Sequence, residues 1–399
     1  MQKKRVVIIM PSMFIGGAER SLLGLLDAFD YDFCEVNLFL YRQEGEFLQY
    51  INQNVHIMNP IPGYDTFDVP IKSLLFSKKI KYGLLRLKAK LDQKLHARKV
   101  PEEDGVWMHM QKISKNLQRS LPDIPGEYDL GIMFLGIPDT LANKVNAKVK
   151  VAWNHTDYTT LDPDKEYDLE VFSKLDYVAS VSDECRNQFL KVYPQLSDKA
   201  IVIENILSKE LILKLADEPI DDERYLNDKG VRVLSIGRYS YAKNFDNVPD
   251  ICRRINEKGL DVKWYIIGYG GDEEKIRNAI AENGMTENVI LLGKKINPYP
   301  YIKACDVYIQ PSRFEGKSVT VREAQILGKP VIISDYATAH SQLDHGVDGM
   351  IVPQDNEHCA VEILKILRND ELLRSVSSQC SARDYTNHNE ISKLAALIQ

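Results

Sequence analysis

The chain lacks the features that mark membrane-spanning, secreted or metal-binding proteins. No run of residues approaches the ~18 consecutive apolar positions of a spanning helix. The start is basic and then apolar, but the apolar run Val6–Met10 stops at Pro11, too short for an export signal. The six cysteines, Cys34, Cys185, Cys252, Cys305, Cys359 and Cys380, are scattered, with no C-x-x-C pair and no Cys/His cluster. Neither a disulfide framework nor a zinc site is indicated, and a reducing compartment fits. No fixed-period repeat or low-complexity tract occurs. Positive charge is not in excess either: the formal net charge is −6, which argues against a globally basic nucleic-acid binder. The expectation is a cytoplasmic protein without a transmembrane anchor, metal or nucleic-acid partner.

What is present is a repeated alternation of short apolar runs and helical patterns. The 399 residues are 44% hydrophobic and 27% charged, ordinary for a folded chain long enough for two or three domains. Val6–Met10 reads as a buried strand and Ala18–Phe29 as the helix after it. Further strand candidates are Glu35–Leu40, Leu130–Phe134, Val149–Trp153, Tyr177–Ser180 and Ala200–Ile203. Asn205–Gly230 is polar and acidic and reads as a connecting segment with one short helix. Alternation resumes with Val231–Ile236, Lys263–Ile267, Val289–Leu291, Val307–Gln310 and Val331–Ile333. This pattern predicts an α/β protein of two doubly wound, mainly parallel domains facing each other across a cleft. Ligands of such sheets bind beyond the carboxyl ends of the strands.

The second half carries the denser motifs. Strand Val231–Ile236 runs into Gly237-Arg238, with Lys243 shortly after, placing two cations on one strand-end loop where a diphosphate could sit. A helix is expected from near Phe245. Strand Val307–Gln310 leads into Pro311-Ser312-Arg313-Phe314-Glu315-Gly316-Lys317-Ser318 and a helix through Glu323 and Ala324. Gly316 permits close backbone approach, helix-start N–H groups attract phosphate, and carboxylates suit sugar hydroxyls. Glu323 reads equally as the end of a T-x-x-E capping box begun by Thr320. Gly268-Tyr269-Gly270-Gly271 lacks the third glycine of a dinucleotide loop and runs into Asp272, Glu273 and Glu274, which repel phosphate; a tight turn lining the cleft is the better reading.

The first half is looser. Gly16-Gly17-Ala18-Glu19 follows the first strand and opens a helix, so backbone N–H groups can face a ligand or simply form a turn. His155 lies just past a strand end in Trp153-Asn154-His155-Thr156-Asp157. Asp162-Pro163-Asp164 has the D-x-D form that can hold a metal on a nucleotide, but it reads better as an exposed turn. Between Ile71 and Val100 the charge is about +9, with Asp92 the single acid. Ile80, Leu84, Leu87, Leu91 and Leu95 recur at helical spacing there, among Lys78, Lys79, Lys81, Arg86, Lys88, Lys90 and Lys94. Two readings stand: a surface helix with its apolar stripe turned inward, or a helix lying on an anionic membrane.

Gly16-Gly17-Ala18-Glu19, Gly237-Arg238 with Lys243, Gly268-x-Gly270, Pro311-Ser312-x-x-Glu315-Gly316 with Glu323-Ala324, and Gly328-x-Pro330-Val331 occur in that order. In combination they resemble the retaining glycosyltransferases of family 4 (glycosyl transferases group 1), of the bacterial surface-polysaccharide type. The resemblance implies the GT-B fold. It implies an acceptor-side domain over 1–205, a nucleotide-sugar domain over 206–380, and a helical end, 381–399, that can cross back to the first domain. It implies that Arg238 and Lys243 contact the donor diphosphate and that Glu323 binds the ribose. Glu315 would sit at the donor sugar, with Gly316, Lys317, Ser318 and Val319 lining sugar and phosphate. Gly268, Gly270 and Lys294 also fall among the donor-binding positions. Gly16 and Gly17 would lie near phosphates and acceptor, and His155 near the donor sugar. Catalytic work falls to Glu315, Arg238, Lys243 and His155. No cofactor is implied beyond a nucleotide-sugar co-substrate, with UDP-sugar the expected donor and a glycan or polyprenyl-linked molecule the expected acceptor. The expected location is cytoplasmic, peripheral on the inner face of the membrane through 71–100. Lys317-Ser318-Val319 departs from the small or aromatic residue and Gly-Leu that the family often has there, and Asn205-Ile206-Leu207-Ser208 from its Asn-Gly-Val-Asp.

Three rivals differ in what they predict. A metal-dependent transferase of another fold would use Asp162 and Asp164. A nucleotide-sugar epimerase of the same fold would convert its donor without an acceptor. A non-catalytic nucleotide-sugar-binding protein at a membrane surface would bind the donor and not turn it over.

Overall fold

The computed structural model describes residues 3–96, 105–227 and 229–398. The chain forms two compact units: one takes everything up to Ile206 and again from His388, the other is Leu207–Asn387. In the first, the strands are β1 (Lys4–Met10), β2 (Cys34–Leu40), β3 (His56–Ile57), β4 (Ile124–Met133), β5 (Val145–Asn154), β6 (Tyr177–Ser180) and β7 (Ala200–Val202). They form one sheet in the order β3-β2-β1-β4-β5-β6-β7, and every pairing is parallel. Helices cover both faces of such a sheet, so central strands read as unbroken apolar runs. Accordingly Val6, Val7, Ile8, Ile9 and Met10 of β1 are all fully buried.

The second unit repeats the plan with β8 (Val231–Ile236), β9 (Val262–Ile267), β10 (Val289–Gly293), β11 (Val307–Gln310), β12 (Val331–Ser334) and β13 (Met350–Val352). The order is β10-β9-β8-β11-β12-β13, again parallel throughout. The chain winds outward from β8 through β9 to β10, then returns to the other side of β8 and winds outward through β11, β12 and β13. The winding therefore reverses between β8 and β11. In the first sheet the corresponding reversal lies between β1 and β4. A crevice opens at such a reversal because the connections on its two sides leave in opposite directions.

Several expectations change. Asn205–Gly230 holds two helices, Lys209–Ala216 and Glu223–Asn227, rather than one. The first is capped by Ser208, whose hydroxyl accepts from the Leu211 N–H. The helix expected near Phe245 starts at Val248, after a turn of 3-10 helix at Tyr241–Lys243. Edge strands β3 and β13 went unpredicted, being two and three residues long. Asp164 does not lie in a free turn: it caps the helix Lys165–Ser173 and pairs with Lys112 at 2.5 Å.

The basic segment holds the helices Ile71–Leu75 and Ile80–His96, and the second packs against the helix Gly105–Gln118. That neighbouring helix is fastened by buried polar groups. Gln111 donates to Asp168 at 2.6 Å, while Ser114 and Gln118 donate to Asp139 at 2.7 and 2.9 Å. The Tyr167 hydroxyl completes the Asp139 set at 2.6 Å. The helix Ile80–His96 overturns the inward-stripe reading, because Ile80, Leu84, Leu87 and Leu91 all face solvent while Ala89 and Arg86 are buried. Tertiary anchoring decides this. Arg86 donates to the carbonyls of Thr66 and Val69, which turns its side of the helix inward. Residues 97–100, and the side chains of Lys94 and Leu95, lie outside the described residues.

Candidate active site

Loops that follow β8 and β11, the two strands flanking the reversal in the second sheet, hold Arg238, Lys243, Glu315, Gly316, Lys317 and Ser318. Arg238 follows β8 after Gly237; it is exposed and makes no hydrogen bond or ion pair among the described residues. Lys243 lies on the 3-10 turn of the same loop, and its stem packs over Gly237, where a Cβ would approach it to 3.1 Å. Its ammonium reaches across to the β11 loop and pairs with Glu315 at 2.5 Å. Both side chains are largely enclosed, with 20% and 11% of their surfaces exposed. The Ser312 hydroxyl donates to the same Glu315 oxygen at 2.7 Å, and Thr338 donates to the Glu315 carbonyl at 2.9 Å. The carboxylate is thus held in one orientation by a cation and a hydroxyl, which is how a group that must meet a ligand hydroxyl is preorganised.

Three further contacts brace this corner, and local sequence pattern signalled none of them. Arg313 makes a two-pronged pair with Asp246 at 2.9 and 3.0 Å, tying the β11 loop to the β8 loop. The Arg313 N–H donates to the Ala242 carbonyl at 2.8 Å. The Arg313 guanidinium also stacks on Tyr241, 4.2 Å from the ring centre.

Gly316 and Lys317 continue the loop, and Ser318 is the N-cap of the helix Val319–Ile326. The Ser318 N–H is taken by the Gln342 side chain at 2.7 Å. Thr320 therefore lies within the helix, and its hydroxyl accepts from Tyr308 at 2.8 Å, so no capping box forms. Glu323 is fully buried and accepts from the Tyr299 hydroxyl at 2.8 Å. That leaves Glu323 as a fixed interior carboxylate behind the helix start.

Gly268 and Gly270 have a packing reason to be glycine. A Cβ on Gly268 would lie 1.9 Å from the Gly237 carbonyl oxygen, and Gly270 has φ +156° with the Tyr239 carbonyl 2.3 Å from where its Cβ would be. These residues let the β9 loop lie against the β8 loop and support the segment that carries Arg238. Lys294, after β10, sits 5.5 Å from the Tyr269 ring centre on the neighbouring loop.

In the first unit, Gly16 is the extended N-cap of the helix Gly17–Ala28 that follows β1, with no side chain capping it. A Cβ at Gly16 would strike Glu19 at 2.1 Å. His155 follows β5 and is fixed by two contacts with Phe134. Its Nε2 lies 2.9 Å from the Phe134 carbonyl, and the rings meet edge to face at 4.9 Å. A carbonyl can only accept, so this contact assigns the proton to Nε2. Burial pushes the imidazole pKa down to about 4, against the pull of the carbonyl hydrogen bond. His155 is therefore neutral near pH 7 and offers Nδ1 as an acceptor. It lines a cavity of about 30 Å³ with Trp107, Trp153 and Tyr158, among others. Among the described residues, no group of three or more His, Cys, Asp or Glu could hold a metal. All six cysteines are buried and free.

Two parallel α/β sheets, each with its winding reversed at the centre, are the plan this chain shares with solved GT-B structures. Residues 217–382 match the family described as Glycosyl transferases group 1. Over the whole chain the fold is similar to Anabaena HepE, crystallised with UDP and glucose. The TM-score is 0.67 with 16% identity, covering 98% of this chain and 99% of that one. By sequence the chain is 25% identical to the amylovoran biosynthesis glycosyltransferase AmsK of Erwinia amylovora over 260 residues, 62% of this chain and 63% of AmsK. It is 31% identical over 177 residues to a Campylobacter jejuni enzyme, N-acetylgalactosamine-N,N'-diacetylbacillosaminyl-diphospho-undecaprenol 4-alpha-N-acetylgalactosaminyltransferase, covering 44% of each chain. Both alignments span less than two thirds of the relative's own length.

Proposed function

We propose that the chain is a glycosyltransferase that moves a sugar, with retention of anomeric configuration, from a UDP-sugar to a lipid-linked or glycan acceptor in surface-polysaccharide synthesis. The observation that carries this reading is the meeting of Lys243 with Glu315, with the exposed Arg238 on the same loop as Lys243, on the two loops that flank the reversal of the second sheet. A diphosphate leaving group needs fixed positive charge, and a donor sugar needs a fixed acceptor for its hydroxyls; the corner offers both. The UDP and glucose in the HepE crystal and the diphospho-undecaprenol in the C. jejuni enzyme's name support the donor and acceptor classes.

In this reading Arg238 and Lys243 neutralise the leaving diphosphate together with the start of the helix Val319–Ile326. Glu315 positions the donor sugar, and Gly316, Lys317, Ser318 and Val319 line it. Glu323 shares its carboxylate between Tyr299 and the ribose. Gly268, Gly270 and Lys294 shape the neighbouring rim. Gly16 and Gly17 serve the acceptor side, and His155 approaches the sugar as a neutral acceptor. The bond from the anomeric carbon to the diphosphate oxygen breaks, the acceptor oxygen bonds on the same face, and the acceptor's proton passes to the leaving phosphate.

The test is a panel of UDP-sugars with lipid-linked acceptors, read by mass spectrometry of the products. A glycosylated acceptor and free UDP are expected, with activity retained in EDTA because the cations of the site are side chains. Conversion of the donor without any acceptor would replace this reading by an epimerase. Donor binding with no turnover on any acceptor would replace it by a binding protein.

A further inference from the structure

The helix Ile80–His96 exposes the side chains that an amphipathic surface helix normally hides. Ile80 is 51% exposed, Leu84 55%, Leu87 39% and Leu91 55%, and Phe76 just before them is 91% exposed. At 3.6 residues per turn the four aliphatic side chains fall in one band about 60° wide. The orientation is fixed from behind: Ala89 is fully buried and Arg86 is held by two backbone carbonyls. Lys81 and Lys88 run along one edge of the band and Lys90 along the other, all exposed. Lys72 and Lys78, also exposed, stand near Phe76. Lys79 is already neutralised by Asp65.

We propose that this face inserts into an anionic phospholipid leaflet, with the apolar band among the acyl chains and the flanking lysines at the level of the lipid phosphates. The chemistry of the rim selects this occupant. An apolar stripe flanked by Lys81 and Lys88 on one edge and Lys90 on the other matches the boundary between acyl chains and anionic headgroups. A second copy of the chain packed on the same face would bring lysines against lysines, which repel. The proposal deepens the acceptor side of the reading above and rests on it for its purpose, a lipid-linked substrate; the docking itself stands on the helix.

The experiment uses the full chain and phosphatidylcholine vesicles with and without roughly one-third phosphatidylglycerol, read by co-sedimentation at low and high salt. Binding to the anionic vesicles is expected. The double variant Leu84→Gln/Leu87→Gln should bind at least about tenfold more weakly at both salt concentrations, because the apolar area available for burial is lost. The variant Lys81→Gln/Lys88→Gln/Lys90→Gln should weaken binding chiefly at low salt, where charge is least screened. Circular dichroism and UDP calorimetry confirm that each variant is folded and keeps its second unit. Failure of the wild type to sediment with anionic vesicles overturns the proposal, as does a leucine variant that binds like wild type. So does a concentration-dependent dimer that the leucine variant abolishes, since the stripe would then be a protein interface. UDP binding without vesicle binding refutes this proposal alone, whereas vesicle binding without UDP binding refutes the donor reading and leaves this one standing.

Discussion

Replacing Lys243 by methionine tests whether the ion pair at the heart of the site is poised for phosphate. In the free protein the Lys243 ammonium is 2.5 Å from Glu315, and only 20% of the lysine side chain is exposed. A hydrogen bond to a charged group in such a place is worth about 1.5–3 kcal/mol net. If the same ammonium turns to the donor diphosphate on binding, Lys243→Met loses an interaction of that size. UDP affinity should fall roughly ten- to 150-fold. Stability should fall by about 1–2 kcal/mol, because Glu315 keeps Ser312 and partial access to water. Glu315→Gln separates the two roles. Its amide still accepts from Ser312, but the lysine is released, so UDP should bind at least as tightly as to wild type while sugar transfer collapses. Isothermal calorimetry with UDP and product analysis read the two effects. The reasoning is refuted if Lys243→Met binds UDP like wild type, or if Glu315→Gln loses UDP as severely as Lys243→Met does.

Arg238 is exposed and without a partner among the described residues, so Arg238→Ala should leave the melting temperature unchanged while costing about 2–4 kcal/mol of transition-state stabilisation, measured as kcat/KM. Gly268→Ala forces a Cβ to within 1.9 Å of the Gly237 carbonyl. It should cost about 1–3 kcal/mol in a denaturant melt and weaken UDP binding through the displaced β8 loop. Burial pushes the carboxyls of Asp139 and Asp168 up to about 6, so the folded chain holds their protons at a pH where the unfolded chain has released them. Each then lowers stability by about 2–3 kcal/mol as pH rises from about 4 to about 7. His155, pushed down to about 4, acts in the opposite sense by adding stability over a similar range, so the wild-type profile is a partial cancellation. The informative measurement is Asp139→Asn against wild type by urea melts. The difference should move in the variant's favour by about 2–3 kcal/mol between about pH 4 and about pH 7, and a pH-independent difference would contradict the assignment.

The strands were legible because buried parallel strands leave a mark that needs no partner. Runs such as Val231–Ile236, Tyr177–Ser180 and Val307–Gln310 are continuous, short and bounded by turn residues, and the strands formed there have those same bounds. β3 left no such mark because both its residues are exposed, and β13 is only three residues long; β7 is as short but lies within the four-residue apolar run Ala200–Ile203. Thr320 and Glu323 fit a capping-box pattern, yet Ser318 opens the helix and Glu323 turns to Tyr299, a partner 24 residues away. The Arg313–Asp246 brace spans 67 residues and the Lys243–Glu315 pair 72, so adjacency along the chain could signal neither.

By itself the sequence determined the local alternation of strands and helices and the two strand-end loops that carry the charged residues. Each of these follows from steric preference or from burial within a few residues. Only the tertiary structure decided which charges meet and which way an amphipathic helix faces. A helical stripe has the same period whether it points to the core or to solvent. In Ile80–His96 the direction was set by Arg86 finding carbonyls at Thr66 and Val69, which turned four aliphatic side chains outward between Lys81 and Lys88 on one edge and Lys90 on the other.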